Sequence, residues 1–485
     1  MPNRPGLKQI VVLLLFTAGA ILVHGYHPYV EDAEIYAPGI KKVLHPALYP
    51  YNDAFFASHA RLTLFPNLIA GSIRITHLPM DWALLLWHFF SIFMLLLGCW
   101  HIGRLCFPSP RAQWGGVAMV ASLLTIPVAG TALYIMDQYL NTRSLSTPAV
   151  LFIVMNVVER KFLRAGLWAI FTASIHPLMA VFGLSYVVLL LWFNRRESRP
   201  LPLNALLLPF GLFPPVTEAY REAISSHSYF FLLRWEWYEW VGIFAPLVLL
   251  WWFQQIARKP NLPVLALLCR ALILFGIFYF VVALGITIPP RLANLAELQP
   301  MRSLHLLYVL LFVFAGGLLA QFVLKDQIWR WLLLFLPLCA GMFYAQRQLF
   351  PATSHLELPG STSNNDWVWA FLWIRDNTPV DAYFALDPDH MQLPGEDQHG
   401  FRAIAERSVL ADRLKDSGAV TMFPALAETW RQQVRAQSGW RSFQAQDFHR
   451  LKEEFGVNWV VLQRPGVAGL SCPYENSTLM ICWLD

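Results

Sequence analysis

Three carboxylates fall within four residues at Glu31, Asp32 and Glu34, in the segment YHPYVEDAEIY that runs from Tyr26 to Tyr36. Carboxylates this close raise one another's pKa, and such a pair can act as a general base or hold a divalent cation such as Mg or Mn. A solvated loop or an acidic helix start would use the same residues. If the segment coils as a helix, Glu31 and Glu34 share a face and Asp32 points elsewhere. A second acid, Asp137, stands six residues before Arg143 in MDQYLNTR. The two could hold a metal or a phosphate, or simply pair as loop charges. His176-Pro177 interrupts a long apolar stretch. Proline breaks a helix at the preceding residue, and the ionisable His176 there is either a functional group or a donor to a freed carbonyl. Arg291, Arg302 and His305 cluster in PPRLANLAELQPMRSLHLLY. Arginines there could grip a phosphate bidentately or anchor to lipid headgroups. The aromatic-rich run SHSYFFLLRWEWYEW reads as an interfacial belt. The chain has no P-loop, no GxGxxG after a strand, no GxSxG elbow and no HExxH. Nucleotide hydrolysis, Rossmann redox chemistry and zinc proteolysis are therefore unsupported.

The elements that must carry these residues are mostly apolar. The 485-residue chain is 56% hydrophobic and 14% charged, where a soluble domain has about 25% charged residues. The apolar excess falls in blocks up to Tyr344, most of them long enough to cross a hydrocarbon core of about 30 Å. Hydropathy predicts spans at 9–25, 83–105, 114–135, 145–158, 164–176, 177–193, 201–213, 237–257, 263–286, 303–324 and 328–346. The weaker segment 57–76, with His59, Arg61, Pro66 and Arg74, is expected to be interfacial, re-entrant or a slanted crossing. Arg4 and Lys8 precede the apolar run Gln9–Val23 with no small-x-small cleavage site after it. That run is read as a retained first helix with its basic end in the cytoplasm. Eleven crossings put the basic clusters at Arg104/Arg111, Arg160-Lys161, Arg195-Arg196, Arg258-Lys259 and Lys325/Arg330 inside. The net charge of +5 is then loop charge, and no basic tract with interleaved aromatics suggests nucleic acid. The expected architecture is a polytopic α-helical membrane protein of about 11–13 transmembrane helices. Residues 1–350 form the helical module, with a long first outer loop over 26–82. Residues 351–485 form a C-terminal extracytoplasmic α/β domain. The expected location is the cytoplasmic (inner) membrane, with the N-terminus in the cytoplasm and the tail periplasmic.

In the tail, Asn364-Asn365-Asp366 offers caps for a helix over Trp367–Asp376, ended by Asn377-Thr378-Pro379. Ala382–Leu386, Ser408–Ala411, Val457–Leu462 and Leu479–Trp483 read as strands, and Pro424–Gln437 and Gln444–Phe455 as helices, with Gly456 a fitting C-cap. Strands alternating with helices predict a small α/β domain. Cys472 and Cys482, ten residues apart, suit a hairpin closed by a disulfide in an oxidising compartment. Cys99, Cys106, Cys269 and Cys339 read as small hydrophobes. The charge-dense runs around Arg402 and Lys415 are expected to be mostly solvated or structurally paired, with a few able to reach a membrane site.

A basic-ended span, an outer loop with a Glu-Asp pair, many further spans and an outer α/β domain follow in an order that resembles the GT-C superfamily of membrane glycosyltransferases, in a divergent bacterial branch. Glu31-Asp32 with Glu34 and Tyr36 carry the resemblance, joined by WAFLWIRDNTPVDA from Trp369 to Ala382. Asp137 falls roughly where such enzymes carry a second acid. The resemblance implies a polyprenyl-phosphate or diphosphate sugar donor, and transfer at the outer membrane face, usually with inversion. Glu31 or Asp32 would deprotonate or orient the acceptor. Glu34, Tyr36, Asp137 and His176 would support the acceptor or a metal, whose use varies in the family. Arg291, Arg302 and His305 would meet the donor phosphate. The likeness does not extend to a lysine-proline pair after the first loop or to a WWDYG-like stretch, so the acceptor, whether glycan, lipid or protein, stays open. A lipid-linked saccharide transporter or flippase, and a non-catalytic scaffold of envelope polysaccharide assembly, are the rival expectations. No repeated halves favour the transporter.

Overall fold

The computed structural model describes residues 5–193, 217–258 and 261–484. Helix α1 spans Leu7–His24 and stops at Gly25, whose φ of 83° a side chain would resist. The first loop then folds into α2 (Ala33–Leu44), α3 (Ala54–Arg61) and α4 (Phe65–Thr76). The doubtful segment 57–76 is thus two short helices, of which α4 enters through Pro66 in its first turn. The bundle continues with α5 (Met80–Cys106), α6 (Pro110–Ser122), α7 (Thr142–Val158), α8 (Phe162–Ile175) and α9 (Pro177–Phe193). After α10 (Glu218–Ser225) come α11 (Trp237–Arg258), α12 (Pro263–Thr287), α13 (Leu304–Leu319) and α14 (Ile328–Leu349).

Among the described residues, six helical segments are long and apolar enough to cross a membrane: α1, α5, α11, α12, the continuous run Leu295–Leu324 that contains α13, and α14. Helices α7, α8 and α9 are apolar but shorter, at 14 to 17 residues. The chain is a multi-pass membrane protein. Two expected spans need comment. The one at 201–213 lies outside the described residues. The one at 114–135 holds only the 13-residue α6. Beyond Ser122 the chain leaves the helix for an irregular loop with positive φ at Ala129 and Ala132. Hydropathy registers the apolar side chains there but not Pro127, which lacks an N–H, or Gly130.

Helix α6 packs closely along α13. Small residues make that approach feasible: a Cβ on Gly116 would sit 2.8 Å from the Val313 carbonyl oxygen. The pairing positions two things at one end of the bundle. It fixes the loop 123–141 that follows α6 and the 3-10 turn Pro300–Ser303 that precedes α13. The first loop, residues 226–236 and the tail meet at this same end. Among the described residues, the basic residues of the turns between α5 and α6 and between α13 and α14 lie at the opposite end, where Arg111 pairs with Asp326 at 2.6 Å.

The tail is a small α/β unit. Asn365 caps α15 (Asp366–Asn377) by accepting from the Trp367 and Val368 N–H groups. Strand β1 (Tyr383–Ala385) follows, then α16 (Phe401–Ala405), β2 (Ser408–Val409), α17 (Lys415–Met422), α18 (Ala427–Ala436) and α19 (Ala445–Phe455). Gly456 ends α19 in the left-handed region, as its position suggested. The last three strands are β3 (Trp459–Gln463), β4 (Ser471–Glu475) and β5 (Leu479–Trp483). The sheet order is β2-β1-β3-β5-β4, parallel across β2, β1 and β3 and antiparallel across β3, β5 and β4. Cys472 on β4 and Cys482 on β5 are joined by a disulfide.

Candidate active site

The acidic segment adopts a shape its spacing did not suggest. Helix α2 begins only at Ala33, and Glu31 has φ 55°. Glu31 and Glu34 therefore do not share a helical face. Instead Glu31 and Asp32 face one way and Glu34 the other. Glu31 is tethered by its N–H to the Gln398 carbonyl at 2.9 Å, and the Asp32 N–H donates to the Tyr139 hydroxyl at 3.3 Å.

Glu31 and Asp32 line a cavity of about 420 Å³ together with Asp137, Arg143, Arg302, Lys415 and His227, and with Tyr134, Tyr139 and Tyr229. Its walls come from five stretches far apart in sequence: the first loop, the loop after α6 with the start of α7, residues 226–229, the turn before α13, and α17 of the tail with Leu414 before it. Lys415 Nζ donates to Glu31 Oε2 at 2.5 Å and to Asp32 Oδ1 at 3.0 Å. Asp32 Oδ2 lies 3.6 Å from Arg143 Nη1. Arg143 Nη2 in turn donates to Asp137 Oδ2 at 2.9 Å, and the Asn141 amide donates to the same oxygen at 2.6 Å. Asn141 and Ser144 form a reciprocal capping box that starts α7 and so sets the position of Arg143. Burial alone would raise the Asp32 pKa, but Lys415 and then Arg143 outweigh it and hold the carboxyl well below the usual carboxylate range. Burial, with Lys415 and Arg302 nearby, pulls His227 down to about 4, so this imidazole is neutral near pH 7. Its Nε2 lies 3.0 Å from the Ser417 hydroxyl.

Arg302 differs from the other two cations. No carboxylate lies within ion-pair distance of it among the described residues, and its Nε is buried without a partner. Its guanidinium sits over the Tyr229 ring, 5.4 Å from the centroid. A guanidinium in a walled cavity, with its Nε donor unspent, can receive an anion such as phosphate.

The other expected site residues take different places. Glu34 is 1% exposed and accepts from the backbone N–H groups of Arg402 at 3.1 Å and Ala403 at 3.0 Å, capping α16. Tyr36 is buried behind the cavity, its hydroxyl accepting from Thr142 at 3.2 Å. His176 sits at the break between α8 and α9, outside the cavity wall. His305 is buried with Nε2 3.0 Å from the Ile135 carbonyl oxygen. It braces the loop that carries Asp137 instead of lining the cavity. Arg291 falls in the 3-10 turn Pro290–Leu298, and its side chain lies outside the described residues. Lys415, His227 and Tyr229 were not singled out from sequence. Their distance along the chain from Asp32 left no local signal, apart from the general charge density of the tail.

Among the described residues no group of three or more His, Cys, Asp and Glu is arranged to hold a metal ion. The donor chemistry agrees, since the oxygens of Glu31, Asp32 and Asp137 are already directed at ammonium and guanidinium groups. The residues present thus fit an ion-paired network better than a divalent-cation cage.

Fold and site together define a multi-pass membrane protein with a polar, ion-lined cavity where its tail meets the bundle. No family model matches the chain, and no curated protein matches it in sequence. Among solved structures, the chain is similar to the archaeal oligosaccharyltransferase AglB from Archaeoglobus fulgidus, in complex with an inhibitory peptide and a dolichol-phosphate. The two are 12% identical, the likeness covers 94% of this chain and 69% of that one, and the TM-score is 0.38. At that score no residue role is carried over from it.

Proposed function

We propose that the protein is a membrane glycosyltransferase, moving a sugar from a polyprenyl-phosphate or diphosphate donor to an acceptor at the outer face of the cytoplasmic membrane. The observation that carries this reading is Arg302: an unpaired guanidinium in the same cavity as Glu31 and Asp32, at the end of an apolar helix run. A lipid-linked donor cannot leave the bilayer, so its phosphate must be met where a span ends. Arg302 supplies that contact and stabilises charge on the leaving phosphate. Glu31 and Asp32 keep 31% and 32% of their side-chain surface open, so an acceptor can reach them. In the transfer step the acceptor oxygen bonds to the anomeric carbon and its proton passes to one of these carboxylates. The anomeric carbon–oxygen bond to phosphate breaks, and its electron pair leaves with the phosphate. The positive-inside rule supports the orientation, because the basic turns among the described residues, such as that of Arg111, lie at the end opposite the cavity. On this reading the N-terminus is in the cytoplasm and the tail outside.

The test is sugar transfer in membranes fed radiolabelled polyprenyl-phosphate sugars, with Glu31→Gln and Asp32→Asn made singly and their folding checked by detergent size-exclusion. Loss of transfer in at least one well-folded variant is expected. Wild-type turnover in both would contradict the assignment of the acids and shift weight to a transporter or a scaffold.

A further inference from the structure

Lys415 holds two carboxylates at once, and it does so from the tail. As the first residue of α17 it extends a flexible stem into the cavity. The backbone beneath it is fixed: the Asp412 carboxylate accepts from the Lys415 N–H at 2.5 Å and from the Asp416 N–H at 3.2 Å. Asp416 is itself clamped to Arg402, at 3.0 and 2.6 Å. Any movement of the ammonium is therefore a pivot of the side chain over a still helix.

The cavity lining carries three cations, Lys415, Arg143 and Arg302, against three acids, Glu31, Asp32 and Asp137. These charges match while the cavity contains no anion. A phosphate adds one or two negative charges, and one cation must then be shared differently. Arg143 is not the mobile one, since it is 7% exposed and tied to Asp137. Arg302 already has nothing to give up. Lys415 is left, a point charge on a four-carbon stem with three rotatable donors.

We infer that Lys415 is a shared cation, ion-paired with Glu31 and Asp32 while the cavity is empty and drawn onto the donor's phosphate when that group enters beside Arg302. The inference rests on reading the cavity as a site for a lipid-linked phosphate. It explains how the acids come to serve as a base. Paired as it stands, Asp32 is a poor proton acceptor, because a useful base needs a pKa near the working pH. Losing Lys415 to phosphate removes the strongest charge that holds Asp32 low. Donor binding and acceptor activation are then one event, and the proton taken from the acceptor returns to water once Lys415 swings back.

The experiment compares polyprenyl phosphate with the matching polyprenol, bound by the full-length protein in detergent and followed by native mass spectrometry. Wild type should prefer the phosphate, and Arg302→Gln should lose that preference. Lys415→Met should weaken phosphate binding about tenfold while polyprenol binding is unchanged, and Lys415→Arg should recover most of it. The decisive arm is the double variant Glu31→Gln/Asp32→Asn. It should bind the phosphate several-fold more tightly than wild type, because the competitors for Lys415 are gone. That gain should vanish in a Lys415→Met background. No gain, or a gain that persists undiminished without Lys415, would overturn the sharing. If wild type shows no preference and Arg302→Gln changes nothing, the donor-site reading itself fails and the inference with it. Should Lys415→Met not run as a monodisperse peak, Lys415→Gln replaces it in the cycle.

Discussion

Glu31 and Glu34 stand three residues apart on one segment, yet they enter two unlike clusters. Glu34 belongs to a sealed one. It meets Arg402, which also grips Asp416 in bidentate fashion and lies 4.0 Å from Asp412, and Glu34, Arg402 and Asp416 are each 1% exposed. Burial pushes the Glu34 carboxyl up to about 8, although Arg402 pulls the other way, and burial raises Asp412 and Asp416 as well. Lys41, seven residues on and on the same face of α2, donates to the Ala403 carbonyl and to Glu406, each at 2.7 Å. Glu34, Arg402 and Asp416 are thus each paired and sealed from solvent. Glu31 belongs to the open cluster, where Glu31 and Asp32 keep about a third of their side-chain surface and, among the described residues, one guanidinium has no carboxylate partner. Acids of one short segment, gripped by cations of the tail, hold the tail in place on one side and border the unspent guanidinium of Arg302 on the other. Sealing and completeness mark structure; openness and an unpaired cation mark function.

Substitutions should separate the two clusters, beginning with the largest effect. Arg402→Met leaves Glu34 and two aspartates buried without a counter-charge. It should cost about 3–5 kcal/mol in thermal unfolding followed in detergent. Lys415→Met, facing acids that are partly open, should cost less than about 2 kcal/mol in the same measurement. Equal losses would erase the distinction. Next, Gly400 lies against the sealed cluster, where a Cβ would stand 2.9 Å from the Glu34 Cβ. Gly400→Ala should therefore cost about 1–3 kcal/mol through overpacking, and limited proteolysis should find the tail more readily released.

A third contact refines the picture. His27 and His399 both reach Glu357, at 2.6 and 3.2 Å, and fasten the tail to the end of α1. Burial disfavours a charge on His399, but Glu357 overrides that and pushes it up to about 9. A folded pKa above the unfolded value of 6.5 adds stability that is full below pH 6.5 and lost as pH rises through 9. His399→Gln should flatten that decline by an amount on the order of 2 kcal/mol, seen as a smaller fall in unfolding midpoint between pH 6.5 and 9. The smallest stability effect belongs to Arg302→Gln. It removes a half-buried cation without a carboxylate partner among the described residues, so the unfolding free energy should stay within about 1 kcal/mol of wild type or rise.

Much of this was legible in the sequence. The polytopic bundle followed from apolar runs, and the tail's elements from local caps such as Asn365 and Gly456. Glu31, Asp32, Asp137 and Arg302 were chosen by residue type and position, and they line one cavity. What was not legible depended on geometry or on distance along the chain. The pairing of Glu31 with Glu34 assumed a helix that begins two residues too late for it. The span at 114–135 was judged by apolarity, which is blind to where a helix ends. Lys415 reaches Asp32 across 383 residues, and no periodicity encodes such a contact.

The central claim is that the open cluster performs group transfer and that Arg302 receives the phosphate. The most direct measurement compares sugar transfer from a radiolabelled polyprenyl-phosphate donor by wild type and Arg302→Gln, with unfolding midpoints taken on the same samples. The expected result is a loss of transfer of about a hundredfold or more at an unchanged midpoint. Transfer by Arg302→Gln within twofold of wild type, at about the same midpoint, would contradict it.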